Sequence, residues 1–249
     1  MYACTLCRKG FFHQGVQRSQ GEHRGNLIRA TRTPRVKVCC IGSADEAALA
    51  IECGASALGL VSSMPSGPGV ICDERIAEIA ATVPPAIGTF LLTSRQKVPE
   101  IIEQQRFCRT NTIQICDHLT VGTHRDVREA LPGISVVQVI HVTGPESVEE
   151  AALVAPHVDA ILLDSGNLKL AVKELGGTGR THDWTLSRAI RERIGIPLFL
   201  AGGLTPENVV KAIDEVSPFG LDVCSGVRTN GKLDATKVKR FLSAVTTYL

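Results

Sequence analysis

The sequence predicts an α/β chain wound into a single closed (β/α)8 barrel, and three observations carry that prediction. Eight short apolar, β-rich runs recur along the chain, and amphipathic helical stretches separate most of them. The turn after the first run also lacks the G-x-G-x-x-G spacing that an open dinucleotide-binding sheet would place there. Strands alternating with helices imply parallel crossover units. Eight of them between residues 35 and 249 fit a closed barrel better than a doubly wound open sheet.

The runs, in order, are VKVCCI (36–41), ALGLV (57–61), AIGTFLL (86–92) and TIQIC (112–116). They continue as SVVQVIHV (135–142), DAILLD (159–164), IPLFLAG (196–202) and GLDVCSG (220–226). Between them, ADEAALAIECG (44–54) has helical apolar spacing and closes on Gly54, a natural residue just past a helix end. DERIAEIAATV (73–83) and SVEEAALVA (147–155) follow the same plan. TPENVVKAIDEV (205–216) predicts a helix capped by Thr205, with Pro206 in its first turn.

Bulk composition narrows the class. With 44% hydrophobic and 21% charged residues the chain reads as an ordinary globular protein, and 4% aromatics make its core aliphatic. A net charge of +2 gives no nucleic-acid signature, and no run approaches the length of a membrane span. Nine irregularly spaced cysteines read as free thiols of a reducing, cytoplasmic compartment, not as a disulfide framework. Residues 1–34 differ: they are basic, with Glu22 as their one acid, and predict a disordered extension preceding the barrel domain at 35–249. An organelle transit peptide is the weaker alternative for so acid-poor a start. Within it Cys4, Cys7, His13 and His23 have ligand types that suit zinc, but the histidine spacing misses that of a zinc finger, and no metal is expected.

Three glycine-rich turns follow late runs: ELGGTGRTHDW (174–184), LAGGLTPENV (200–209) and CSGVRTNGKLD (224–234). One such turn merely closes a tight connection. Three converging at one end of a barrel bring backbone N–H groups together where a phosphate can bind. The adjacent thiols Cys39 and Cys40 stand where the first strand ends. On the residue alone, Cys39 is most simply a small buried hydrophobe.

KVCC (37–40), LLD (162–164), GGTGRTHDW, LAGGLTPENV and DVCSGV followed by GKLD occur in the order seen in phosphoribosylanthranilate isomerases of tryptophan biosynthesis, and from Val36 to about Val245 the chain resembles that family. The resemblance implies a cofactor-free TIM barrel that isomerises N-(5-phosphoribosyl)anthranilate. It assigns Cys39 as general base and Asp164 as general acid. It places the substrate phosphate on Gly177, Gly179, Gly202, Gly203, Ser225 and Gly226, with Asp183 holding the GGTG loop and Trp184 packed behind it. The expected partner is a small phosphosugar, with no nucleic acid or membrane, in a monomer or homodimer. Cys53, Cys72 and Cys108 are read as packing residues.

Four positions depart from the family pattern. Gly69 stands where an arginine pairs with the substrate carboxylate, QICD (114–117) replaces Gln-Leu-His-Gly, Gln138 replaces a lysine, and Cys40 replaces the glycine after the base. Glycine cannot supply a bidentate guanidinium contact. Two readings follow: an isomerase that anchors the carboxylate through Arg180 or Arg228, or a paralogue that isomerises or binds another phosphosugar ligand. A non-catalytic scaffold barrel with a basic interaction tail is a third, against which the retained Cys39 and Asp164 speak.

Overall fold

The computed structural model describes residues 33–168 and 170–248. The expected extension, with Cys4, Cys7, His13 and His23, lies outside those residues, apart from its last two positions.

All eight expected strands form, each joined to the next by a helix, and they close into one barrel. In order the elements are β1 (Arg35–Val38), α1 (Ala44–Glu52), β2 (Ala57–Val61), α2 (Asp73–Thr82), β3 (Gly88–Thr93) and α3 (Val98–Cys108). Then come β4 (Thr112–Ile115), α4 (His124–Ala130), β5 (Ser135–His141), α5 (Glu146–Val154), β6 (Ala160–Asp164) and α6 (Trp184–Arg193). The barrel ends with β7 (Leu198–Leu200), α7 (Val209–Val216), β8 (Gly220–Val223) and α8 (Ala235–Thr247). Every neighbouring pair is parallel, and β1 pairs with both β2 and β8, so the sheet has no edge.

Strand alternation makes two apolar layers. Leu58, Leu60, Leu91, Ile113 and Ile115 face outward and join the helices in the main core. Phe90, Leu92, Val137, Val139, Leu162 and Phe199 form a second cluster, the packed interior expected of an eight-stranded barrel. Phe199 sits edge-to-face between Phe90 and Phe219, with centroids 5.8 and 5.6 Å away. A side chain at Gly220 would overlap the Phe199 ring, which is why the start of β8 has none.

Several local expectations change. β1 stops at Val38 because Cys40 has φ +62°, a left-handed backbone that breaks an extended run. α1 ends as expected, with Gly54 at φ +104°. α7 begins at Val209, four residues after the expected Thr205 cap. There the Asn208 side chain accepts from the Thr205 N–H at 2.8 Å and donates to the Gly203 carbonyl at 2.9 Å, folding a turn in place of a first helical turn. Cys108 is buried and Cys53 packs against the core, but Cys72, expected as a packing residue, is exposed at the N-cap of α2.

Candidate active site

The C-terminal ends of the strands surround a cavity lined by Cys39, Asp164, Gln114, Asp222 and the glycine-rich turns. Through Asp222 the wall of the cavity is joined to a buried ion pair. Lys37 on β1 and Asp222 on β8 are register partners, and both side chains point into the barrel. Lys37 is fully buried; its Nζ donates to Asp222 Oδ2 at 2.8 Å, contacts Cys39 Sγ at 3.6 Å and lies 5.3 Å from the Phe90 ring centroid. Burial works against the ammonium charge, but the Asp222 carboxylate outweighs it and holds Lys37 protonated. A positive charge therefore sits beside the Cys39 sulfur.

Gly59 on β2 makes this arrangement possible. A Cβ there would lie 2.7 Å from Cys39 Sγ and 3.0 Å from Lys37 Nζ. The missing side chain is the space that the thiol and ammonium share.

Asp164, the last residue of β6, keeps part of its surface open to the cavity. The surrounding protein still withdraws it from bulk water and pushes its carboxyl up to about 6, although the Ser165 N–H, donating to Oδ1 at 2.7 Å, pulls the other way. Gly176, at φ +131°, passes so close that a Cβ would collide with Asp164 Oδ2. Cys39 and Asp164 are thus brought to one cavity from residues far apart in sequence.

Of the expected phosphate residues, Gly177, Gly179, Gly202, Gly203 and Ser225 all line this cavity, and the four glycines have positive φ. A Cβ at Gly203 would lie 2.7 Å from the Arg180 carbonyl carbon, so the turns after β6 and β7 touch backbone to backbone. Ser165 and Thr178 hydroxyls bond at 2.6 Å, tying the end of β6 to the glycine loop. Gly226 is outside the lining; a Cβ there would strike the Leu204 carbonyl, so its role is to let β7 and β8 turns pack. Asp183 caps α6 through the Thr185 N–H at 2.8 Å, and Trp184 opens that helix buried in the core.

The two arginines considered for the carboxylate are elsewhere. Arg180 is exposed and paired with Glu174 at 2.5 Å. Arg228 bonds Glu46 at 2.9 Å and donates to the carbonyls of Cys39 at 3.3 Å and Cys40 at 2.5 Å, so its guanidinium clamps the end of β1. Gln138 is buried and donates to the carbonyls of Ile115 and Asp117 at 3.1 and 3.2 Å, holding the end of β4. Asp117 in turn accepts from Lys173 at 2.6 Å.

Lys37, Asp222 and Gln114 open the KVCC, DVCSGV and QICD segments, but neither they nor Gly59 had a role assigned from the sequence. The available signal was a charge in the middle of each of two apolar runs, KV and LDV, which in a closed barrel must face inward together. Gln114 lines the cavity with a buried Oε1 that has no hydrogen-bond partner among the described residues.

Residues 36–244 match the family described as N-(5'-phosphoribosyl)anthranilate (PRA) isomerase. N-(5'-phosphoribosyl)anthranilate isomerase 2 of Methanosarcina mazei is 36% identical over 210 residues, covering 84% of this chain and 92% of that protein. The Haloferax volcanii enzyme of that name is 36% identical over 215 residues, covering 86% and 93%. The crystal structure of phosphoribosyl anthranilate isomerase from Thermotoga maritima superposes with a TM-score of 0.72 at 31% identity, covering 86% of this chain and 99% of that one. A phosphoribosyl anthranilate isomerase solved with reduced 1-(o-carboxyphenylamino)-1-deoxyribulose 5-phosphate superposes at 0.70, with 29% identity and the same coverages.

Proposed function

Because this chain belongs to the N-(5'-phosphoribosyl)anthranilate isomerase family, we propose that it carries out the Amadori rearrangement of N-(5-phosphoribosyl)anthranilate to 1-(2-carboxyphenylamino)-1-deoxyribulose 5-phosphate, in tryptophan biosynthesis. The observation that carries the reading is the convergence of Cys39, Asp164 and three glycine-rich turns on one cavity.

The reaction needs an acid and a base in sequence. Asp164 protonates the furanose ring oxygen, and the ring opens to an imine. Cys39 then removes the C2 proton, and the enolamine tautomerises to the ketone. With its carboxyl up at about 6, roughly a tenth of Asp164 still carries a proton at pH 7, which an ordinary aspartate does not. Cys39 enters this step as the thiolate and leaves it as the thiol; Lys37 stands beside the thiolate charge, and Asp222 holds Lys37 in place. The phosphate rests on backbone N–H groups of the turns at Gly177–Gly179, Gly202–Gly203 and Ser225.

No cofactor enters these steps. The protein works as a monomer or homodimer, and the free thiol of the base suits a reducing cytoplasm. Growth of a strain lacking the isomerase on medium without tryptophan tests the reading. Rescue by the wild-type sequence and failure of rescue by Cys39→Ala are expected; failure of wild type to rescue while well expressed would remove the proposal.

A further inference from the structure

Cys40 and Cys224 stand side by side at the cavity mouth, with sulfurs 2.8 Å apart. They come from the ends of β1 and β8, the strands whose pairing closes the barrel, and both line the cavity beside Cys39. That separation is shorter than two sulfurs keep when they merely pack. A disulfide bond needs about 2.05 Å, so closure requires a shift of under an ångström.

Two further features favour reaction. Cys224 is partly exposed, so a small oxidant in the cavity reaches it. Its thiol is lowered by the hydrogen bond shared with Cys40 and by the Arg228 guanidinium, while Cys40 is raised by the same shared bond, by Cys39 and by burial. The pair thus divides into a thiol that ionises more readily, Cys224, and a resolving thiol, Cys40.

We propose that Cys40 and Cys224 form an oxidation-sensitive dithiol that closes to a disulfide at the mouth of the active site and reversibly lowers turnover. Hydrogen peroxide is the oxidant class that balances the step. The Cys224 thiolate attacks one peroxide oxygen, the O–O bond breaks, hydroxide leaves and a sulfenic acid forms. The Cys40 sulfur then attacks the sulfenic sulfur, the S–S bond forms, the S–O bond breaks and water leaves. In sum two thiols and one peroxide give one disulfide and two waters, with the two electrons coming from the thiols.

The expected loss follows from geometry. Cys40 adjoins Cys39 in sequence, its sulfur contacts the Pro68 carbonyl at 3.6 Å, and its side chain fills the space over Gly69. Drawing Cys40 toward Cys224 moves the base and releases the segment at Ser66, Gly67 and Pro68 that lines the cavity.

The function assigned above supplies the turnover readout, but the bond itself is read without it. The full chain is treated with hydrogen peroxide, alkylated and digested with trypsin. Wild type should give a linked pair of peptides, 38–75 and 212–228, the latter holding Cys224 as its one cysteine. The link should persist in Cys39→Ala and vanish in Cys40→Ser. Turnover should fall about tenfold to a hundredfold and return with dithiothreitol, while Cys224→Ser keeps its own reduced-state rate under the same peroxide. A Cys39 oxidised with Cys40 and Cys224 still free would overturn the proposal, as would a linked pair with unchanged turnover. Absence of turnover in the reduced wild type, with the link still formed, counts against the isomerase reading and not against the dithiol.

Discussion

Cys40 and Gly69 occupy one another's space. A Cβ at Gly69 would overlap Cys40 Cβ and come within 3.0 Å of its Cα and sulfur, and both residues have positive φ, +62° and +77°. The two departures from the family pattern are therefore one: the Cys40 side chain fills the room that any side chain at Gly69 would need.

Restoring that arginine alone should fail for steric reasons. Gly69→Arg must strain a left-handed backbone and overpack Cys40, at about 1–3 kcal/mol each, which in a chain of this size lowers the melting temperature by several degrees. The double variant Cys40→Gly, Gly69→Arg should recover more than half of that loss. Calorimetry on Gly69→Arg, Cys40→Gly and the double variant checks the coupling; purely additive shifts would show that the two sites do not compete.

Gly59→Ala should hit the chemistry harder than its size suggests. Its methyl would press on both Cys39 Sγ and Lys37 Nζ, and a misplacement of the base by about 1 Å costs on the order of a hundredfold in rate. We expect kcat to fall with KM little changed, because the added methyl meets Cys39 and Lys37 and none of the phosphate turns. Steady-state kinetics distinguishes this from a KM effect.

Lys37→Met should destabilise strongly by leaving Asp222 buried without its partner, a loss of about 3–5 kcal/mol. Lys37→Met with Asp222→Asn should regain most of it, since both charges are then gone. Chemical denaturation of the single and double variants measures this, and equal stability would mean that the pair is not electrostatically coupled.

The pH profile follows from Asp164. Its carboxyl is raised to about 6 from a usual 3.8, so the protonated acid is lost as pH rises through about 6, and the acid-dependent part of kcat/KM should decline there. The same shift makes the ionised, desolvated group a cost to the fold above pH 6 that is absent below the unfolded value. Asp164→Asn should therefore raise the melting temperature at pH 8 and lose that advantage near pH 3.5, while abolishing turnover at both.

Much of this was readable in advance, for identifiable reasons. The strands are apolar runs of the right length, and the glycine turns needed only the barrel to bring them together. Cys39 and Asp164 fall at strand ends, where a barrel displays reactive groups. What stayed hidden depends on pairing across the closure. Lys37 looks like an ordinary strand charge until β1 meets β8 and sets it against Asp222. Arg228 reads as a free cation in its loop, yet Glu46 and two β1 carbonyls consume it. The Asn208 turn is invisible to a Thr-Pro cap pattern because it is a local side-chain bond to backbone, and Cys40 opposite Gly69 is visible only in three dimensions.

The most direct test is conversion of N-(5-phosphoribosyl)anthranilate by purified wild type, Cys39→Ala and Asp164→Asn, followed by the loss of substrate fluorescence. Binding of the reduced product analogue is measured in parallel. Wild type should turn over, and each variant should fall by about three orders of magnitude or more while still binding the analogue. A wild type without activity, or a Cys39→Ala variant at the wild-type rate, would contradict the assignment of proton transfer to Cys39 and Asp164.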